Sequence, residues 1–277
     1  FLFVLREKGC EIRNPDLSAQ TEKCEFHSEN GLVLSIAFSG FFPRPVLVQD
    51  GCSAVIVLGS PIYDDKSVDA RKSADALLKD FSAKTALELL DGEFFAIRFD
   101  KADGKVSFIS DRWCSIPMHY HLAEGRKIFS ASPCFCSLWK FLKENSMLEL
   151  DQEAFFEFLW FQRLFGTKTL AKGAFFMPDA HVFSLENWKV GLERYWNRNY
   201  RKNGNSLESN AQILAEMLKY SVSLKTADKD RFGHFLSGGM DSRCVLGAFR
   251  EEHPTCFTVG VSDNREVKTA RRIAEVS

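Results

Sequence analysis

The stretch Arg231–Arg250, RFGHFLSGGMDSRCVLGAFR, constrains the fold of this chain more than any other. Its apolar run Phe232–Leu236 predicts a strand, Ser237-Gly238-Gly239-Met240-Asp241-Ser242 a turn, and Cys244–Phe249 a helix. A strand that ends in glycines and restarts as a helix aims several backbone N–H groups at one spot, and the positive end of the helix dipole adds to that field. Such a turn suits phosphates. Gly238 and Gly239 lack Cβ, which permits positive φ and a close approach of backbone to ligand. The hydroxyls of Ser237 and Ser242 can donate to phosphate oxygens. Asp241 is a hard carboxylate suited to Mg²⁺ bridging those oxygens. The plainer alternative is an ordinary strand-turn-helix connection capped by Ser or Asp. No Lys follows the glycines, so this is not a Walker loop.

SGGMDS resembles the pyrophosphate loop of the ATP pyrophosphatase family, in which ATP is split between its α and β phosphates and the substrate becomes adenylylated. The resemblance implies ATP on Ser237, Gly238, Gly239, Met240, Asp241 and Ser242, with Mg²⁺ on Asp241 through the phosphates. It places Leu236 on the floor of the nucleotide site. Val259, in the next apolar run Cys256–Val261, comes near the adenine; a plain core-strand role accounts for Val259 equally well.

The front half narrows the choice among members of that family. Leu90–Asp100 (LDGEFFAIRFD), Val106–Ser110, Ile116–His121 and Lys127–Ser132 predict four strands, with Asp103-Gly104 as a tight hairpin signal between the first two. The series LDGEFFAIRFD, SFISDRWCSIPMHYH, IFSAS is similar to the glutaminase-type domain of asparagine synthetase, which reads approximately L-x-G-x-F-A, D-R-x-G-x-x-P-L-Y-Y, F-A-S-E. The similarity runs from about Phe1 to Trp196. It implies an α/β chain with an α+β, Ntn-type, glutaminase-like domain of stacked antiparallel sheets over residues 1–200. The start of a doubly wound, parallel-sheet ATP-pyrophosphatase domain would follow over residues 207–277. The implied activity is that of an ATP-dependent carbon–nitrogen ligase of the glutamine-hydrolysing asparagine synthase type. It would adenylylate aspartate or an analogue and form an amide, releasing AMP and pyrophosphate.

Two departures bear on the glutaminase half. That chemistry uses an N-terminal Cys whose own α-amine serves as base. The chain begins Phe1-Leu2-Phe3-Val4-Leu5, and its nearest thiol is Cys10, beyond the first strand. The family's oxyanion segment N-G-E-I-Y-N has its best counterpart in Leu58-Gly59-Ser60-Pro61-Ile62-Tyr63-Asp64, where Gly59 and Tyr63 survive but Leu58 replaces the Asn and Ser60-Pro61 the Glu. Losing one oxyanion donor costs about two to three orders of magnitude in rate, so glutamine hydrolysis is expected to be weak or absent. The rival expectation is a divergent synthetase, similar to β-lactam synthetase or lasso-peptide cyclases, using ammonia or a substrate amine. Arg243 after SGGMDS, where true asparagine synthetases carry a small residue, leans the same way. A non-catalytic interaction module that keeps the fold is the rival of another class.

Composition excludes some partners. The formal net charge of −1 gives no electrostatic footprint for nucleic acid or an anionic membrane. No apolar run reaches the ~18 residues that span a bilayer. Expected partners are therefore small molecules: ATP, a carboxylate substrate, and glutamine or ammonia. The expected location is the cytoplasm, with a homodimer admitted. Twenty-six Phe suit strands packed face to face. The eight Cys are expected as reduced, mostly buried thiols, with Cys134-Phe135-Cys136 on a strand. His119-x-His121 has metal-binding spacing but no third ligand nearby, which favours two polar positions on one strand face.

Helices are expected over Asp64–Ser82, Ala154–Leu164 and Leu207–Leu224, the last with Ile213, Leu214, Met217, Leu218 and Val222 on its apolar face. A final helix is expected to be capped by Asp263, with Glu266 at the capping-box position. Arg201–Ser206 predicts a linker. With two strands after that linker, the chain reads as a fragment whose catalytic Lys and substrate pocket lie beyond Ser277.

Overall fold

A computed structural model describes residues 1–13, 21–39, 44–227, 232–249 and 254–276. The chain divides into two compact units, Phe1–Asp65 with Asp69–Arg198, and Lys66–Val68 with Asn199–Ser277. Arg231, Arg250 and Ser277 of the sequence reading lie outside the described residues.

The first unit runs β1 (Leu2–Glu7), β2 (Thr21–His27), β3 (Leu32–Ser39), β4 (Val46–Gln49) and β5 (Ser53–Tyr63). The two-residue strand β6 (Ser67–Val68) groups with the second unit. Then come α1 (Ala70–Lys79), α2 (Ala83–Leu89), β7 (Leu90–Asp100), β8 (Val106–Ser110), β9 (His119–Ala123) and β10 (Ile128–Ser132). The unit closes with α3 (Phe135–Glu144), α4 (Gln152–Phe161), β11 (Ala174–Phe176), β12 (His181–Glu186) and β13 (Lys189–Arg194). One antiparallel sheet has the order β11-β9-β10-β1-β3-β2 and the other the order β13-β12-β8-β7-β5-β4.

Side-chain alternation explains why these strands read as unbroken apolar runs. In β1, Phe3 and Leu5 face the space between the sheets, while Leu2 and Val4 face α3 through Leu138, Phe141 and Leu142. In β7, Phe95, Ile97 and Phe99 point inward, while Phe94 and Ala96 join Ala74, Leu77 and Ala86 of α1 and α2 on the other side. Each sheet is thus covered on both faces, and the unit is a four-layer α-β-β-α stack. Successive residues point to opposite faces of a strand, so a doubly covered strand carries hydrophobes at every position. Phenylalanine fills the central layer. Phe108 lies 5.8 Å from Phe95, 5.5 Å from Phe129 and 5.3 Å from Phe183, centroid to centroid, at the tilted and edge-on angles aromatic rings prefer.

The turn after β8 is organised by one buried carboxylate. Asp111 accepts from the N–H groups of Phe94 (3.2 Å), Trp113 (2.8 Å) and Ser115 (3.0 Å), and from the Ser115 hydroxyl (3.2 Å). Cys114, which stands where the family pattern D-R-x-G has Gly, has φ 51°, in the left-handed region. Its thiol is pushed up to about 12, first by burial and then by the Asp111 charge. Alkylation at pH 8 is therefore expected to label the exposed Cys52, Cys136 and Cys244 and to spare Cys114 until the protein is denatured. Peptide mass spectrometry reads the order, and equal labelling of Cys114 in the native protein would contradict its burial.

Several expectations change. Helix α1 is shorter than Asp64–Ser82 because Asp64 and Asp65 are left-handed (φ 50° and 52°) and the Asp69 side chain caps it, accepting from the Lys72 N–H at 2.9 Å. Helix α4 starts at Gln152, capped by Asp151, and ends at Phe161, where Gln162 turns left-handed. Cys134-Phe135-Cys136 opens helix α3 instead of lying on a strand. The cysteines are not mostly buried: Cys52, Cys134, Cys136 and Cys244 are exposed and the rest half-buried. His119 and His121 do share β9, and burial lowers both pKa values. Among the described residues, no three His, Cys, Asp or Glu side chains are close enough to hold a metal.

The second unit contains α5 (Leu207–Thr226), β14 (Gly233–Phe235), α6 (Met240–Leu246), β15 (Thr255–Phe257) and α7 (Arg265–Val276). Strands β14 and β15 pair in parallel, with His234 opposite Cys256. Leu236, Leu246 and Ala270 form a small core with Phe249, Cys256 and Ile273 against it. Helix α5 has the expected start but buries none of its residues; Ile213, Leu214 and Met217 are exposed. A two-stranded pair offers no sheet face wide enough to cover that stripe. Helix α7 is capped by Asn264, whose Oδ1 accepts from the Val267 N–H at 3.0 Å, and not by Asp263, which pairs with Arg271 at 3.5 Å. No helix among the described residues is long and apolar enough to cross a membrane.

Candidate functional site

The loop Ser237–Ser242 joins β14 to α6. Leu236 anchors its entrance: the side chain is buried, its N–H donates to Phe257 O at 2.9 Å, and its carbonyl accepts from the Thr258 hydroxyl at 2.8 Å. At the exit, Ser242 Oγ lies 2.9 Å from Ser237 Oγ and accepts from the Ser237 N–H at 3.1 Å. The Gly239 N–H donates to Ser237 Oγ at 3.1 Å. The two serines therefore stitch the turn together, and both hydroxyls sit where the loop narrows.

The glycines serve differently from the expectation. Neither Gly238 nor Gly239 has positive φ; Gly239 caps α6 at φ −77°. Gly238 is closely packed: a Cβ there would lie 3.3 Å from Cα, Cγ and the carbonyl oxygen of Glu266 on α7, and a side chain would fit only if Glu266 gave way by a few tenths of an ångström. At Gly239 it would lie 3.2 Å from Ser237 Oγ. Helix α6 begins at Met240, earlier than Cys244, and ends at Leu246. The cap is a glycine with no side chain to accept, so no side-chain cap bond closes the start of α6 among the described residues.

Met240 and Asp241 stand on the exposed rim. The Asp241 carboxylate has no hydrogen-bond or ion-pair partner among the described residues, which leaves it free to meet a cation. Val259 does not lie in a strand. β15 ends at Phe257, and Val259 is 84 % exposed, so it packs into no core among the described residues. Leu236, Ser237, Gly238, Gly239, Met240, Asp241 and Ser242 are thus contiguous at one turn, with Val259 beyond the end of the neighbouring strand. Four further residues hold the loop. His234 Nε2 lies 2.9 Å from Ser242 O, Arg243 Nε donates to Gly239 O at 3.1 Å, Thr258 holds Leu236, and Glu266 backs Gly238. Of these, the sequence reading singled out Arg243 and Glu266, each in another role, and gave His234 and Thr258 none.

The segment proposed for oxyanion donors has another geometry. Strand β5 pairs with β7 without a break from Ser53 to Tyr63, Leu58 opposite Phe95 and Gly59 opposite Phe94. Leu58 is buried in the inter-sheet core and offers no side-chain donor. Pro61 fits because β4 pairs only as far as Ala54–Val57, leaving its side of β5 free of that ladder. Gly59 has φ +92°, and a Cβ there would fall on the Glu93 carbonyl oxygen and 2.8 Å from Ile116 Cδ1. Gly59→Ala is expected to destabilise the first unit by at least about 2 kcal/mol, from positive φ plus the clash. Urea unfolding reads this, and an unchanged midpoint would refute it. Nearby, Arg112 Nη1 donates to Asp91 Oδ2 at 2.8 Å and Nη2 to Leu87 O at 3.2 Å, which ties the family-like D-R pair to the start of β7.

Residues 214–276 match the family model described as asparagine synthase. The match covers less than a quarter of the chain and includes the whole loop, β14, β15, α6 and most of α5. No curated protein gives a match. Among the solved structures that align with the chain are the following two. Glutamine phosphoribosylpyrophosphate amidotransferase from B. subtilis, complexed with ADP and GMP, aligns at 9 % identity with a TM-score of 0.44 over 79 % of this chain. The chain spans 57 % of that protein's length. The allosteric regulatory enzyme of purine biosynthesis aligns at 9 % identity with a TM-score of 0.44, over 98 % of this chain and 69 % of that one. Neither likeness bears on activity.

Proposed function

We propose that this chain belongs to an ATP-dependent carbon–nitrogen ligase similar to asparagine synthetase, with Ser237–Ser242 as its pyrophosphate loop. The observation that carries the reading is the coincidence of two things at one turn: the asparagine synthase match over residues 214–276, and an uncapped helix start facing two serine hydroxyls and an unpaired carboxylate. ATP fits these groups. The Ser237 and Ser242 hydroxyls can rotate from one another toward phosphate oxygens, and the free N–H groups of α6 supply neutral donors. Asp241 would hold Mg²⁺, which neutralises phosphate charge.

In this reading a substrate carboxylate oxygen attacks the α-phosphorus and pyrophosphate departs. An amine or ammonia then displaces AMP from the acyl-adenylate. The loop's part is electrostatic: donors fixed before the reaction meet the charge that develops on the leaving pyrophosphate. The glutaminase half is proposed to be impaired, supported by the unbroken β5 ladder and the buried Leu58. The nitrogen would then come from ammonia or from an amine within the substrate. The test is ATP–pyrophosphate exchange by the full-length protein across a panel of carboxylates, aspartate included, without a nitrogen donor, followed by AMP and amide formation with ammonium or glutamine. Exchange that depends on one carboxylate, and amide formation with ammonium but not glutamine, are expected. No exchange with any carboxylate would sink the ligase reading, and glutamine-driven amide formation would sink the impaired glutaminase.

A further inference from the structure

We propose that the first unit carries a separate anion site for the phosphoryl group of a small molecule, formed by Arg6, Arg13 and Arg126 at the C-terminal end of α3. An open cavity of about 1010 Å³ lies there, lined by these three arginines together with Glu11, Glu144 and Asn145. Its size suits a small-molecule ligand.

The arginines reach the cavity from three parts of the chain. Arg6 is the penultimate residue of β1 and stands on the face of the sheet turned toward α3, the face that carries Leu2 and Val4. Arg126 comes from the link between β9 and β10. Arg13 is held above the end of α3 by its backbone: its N–H donates to Asn145 Oδ1 and its carbonyl accepts from Asn145 Nδ2, both at 2.8 Å. The partly buried Cys10 and Ile12 fix the same segment against the α3 core.

Charge and satisfaction point to an anion. Among the described lining residues three guanidiniums meet the carboxylates of Glu11 and Glu144, with Glu25 in long contact with Arg6. Arg126 spends one N–H on Asn145 O at 2.7 Å, which answers the exposed carbonyls at the end of α3. Among the described residues Arg6 has only a long contact with Glu25, 3.9 Å, and its Nε–H is shielded from solvent with no hydrogen-bond partner there. A buried charged donor without a partner is costly and calls for an acceptor such as a bound ion. The Arg13 guanidinium has no partner among the described residues. Planar guanidiniums bind phosphate in bidentate pairs, and several of them favour a phosphoryl dianion over a single carboxylate.

The test is calorimetric titration of the full-length protein with inorganic phosphate at fixed ionic strength, with acetate as the comparison anion. Phosphate is expected to bind saturably and acetate much more weakly. Arg13→Gln and Arg126→Gln are each expected to weaken phosphate roughly tenfold or more, about the loss of one charge-assisted pair. Arg13→Gln leaves the fold in place, because the clamp to Asn145 uses only the Arg13 backbone. Ser237→Ala separates this site from the loop of the second unit and is expected to leave the affinity unchanged. Three results would each overturn the proposal: no phosphate binding, unchanged affinity in both arginine variants, or acetate binding as tightly as phosphate. Loss of binding in Ser237→Ala alone would assign the phosphate to the loop and equally overturn it.

Discussion

Asp241→Ala is expected to lower ATP–pyrophosphate exchange in the full-length protein by about two to three orders of magnitude, the size associated with removing one preorganised electrostatic contact to a developing charge. The side chain stands exposed on the rim of the turn and holds no partner among the described residues, so the unfolding midpoint should not move. That separation makes the result interpretable. A loss of exchange without a loss of stability would place Asp241 at the phosphates or their metal. Raising Mg²⁺ should partly restore Asp241→Asn and not Asp241→Ala if the carboxylate position is a ligand. Full exchange in Asp241→Ala would remove the metal role, and if Ser242→Ala were also silent, the loop would be no more than a connection.

Phe108→Ala is expected to have the largest effect on folding. The ring is fully buried in the middle layer and meets Phe95, Phe129 and Phe183, which come from both sheets. Truncation loses the transfer free energy of the ring and leaves a cavity that neighbouring strands cannot close, a cost of about 3–5 kcal/mol. In a unit of this size that is a fall of roughly 10 °C in its melting temperature. Phe108→Leu should recover more than half of the loss, since most of the volume returns. If Phe108→Ala unfolds within a degree or two of the parent, the two sheets do not share the core described here. The second unit should be unaffected, so calorimetry would show one transition shifted.

Much of this architecture was legible because it is written in short-range chemistry. The apolar runs of β1 and β7 marked both as strands; their cover on both faces was shown by the packing of α1, α2 and α3. The Asp103-Gly104 signal marked the β7–β8 connection, where Gly104 has φ +69°. The loop residues Ser237 to Ser242 were legible for the same reason: hydroxyls, missing Cβ atoms and a carboxylate in one hexapeptide fall at one turn whatever surrounds it.

The errors came where a distant partner decides. Positive φ looked the natural use of Gly238, yet its φ is not positive and it packs closely on Glu266, twenty-eight positions along the chain. The last helix offers Asp263 and Asn264 as equally good caps by type; the pairing of Asp263 with Arg271 leaves the cap to Asn264. Val259 continued an apolar run but not the strand, because only three residue pairs join β14 to β15. Cys134 to Cys136 alternate as a strand would, yet Phe135 opens a helix whose apolar side packs on the sheet.

The sequence by itself determined the chemistry of the loop and the strand character of β1 and β7, since both depend on residues near one another along the chain. Only the tertiary structure decided that β5 runs unbroken through Leu58 and Gly59, and that Arg6, Arg13 and Arg126 line one cavity. A ladder forms, or arginines from three segments converge, only when residues far apart in sequence are brought together. Sequence spacing does not encode those contacts, because sheet register and helix packing set them.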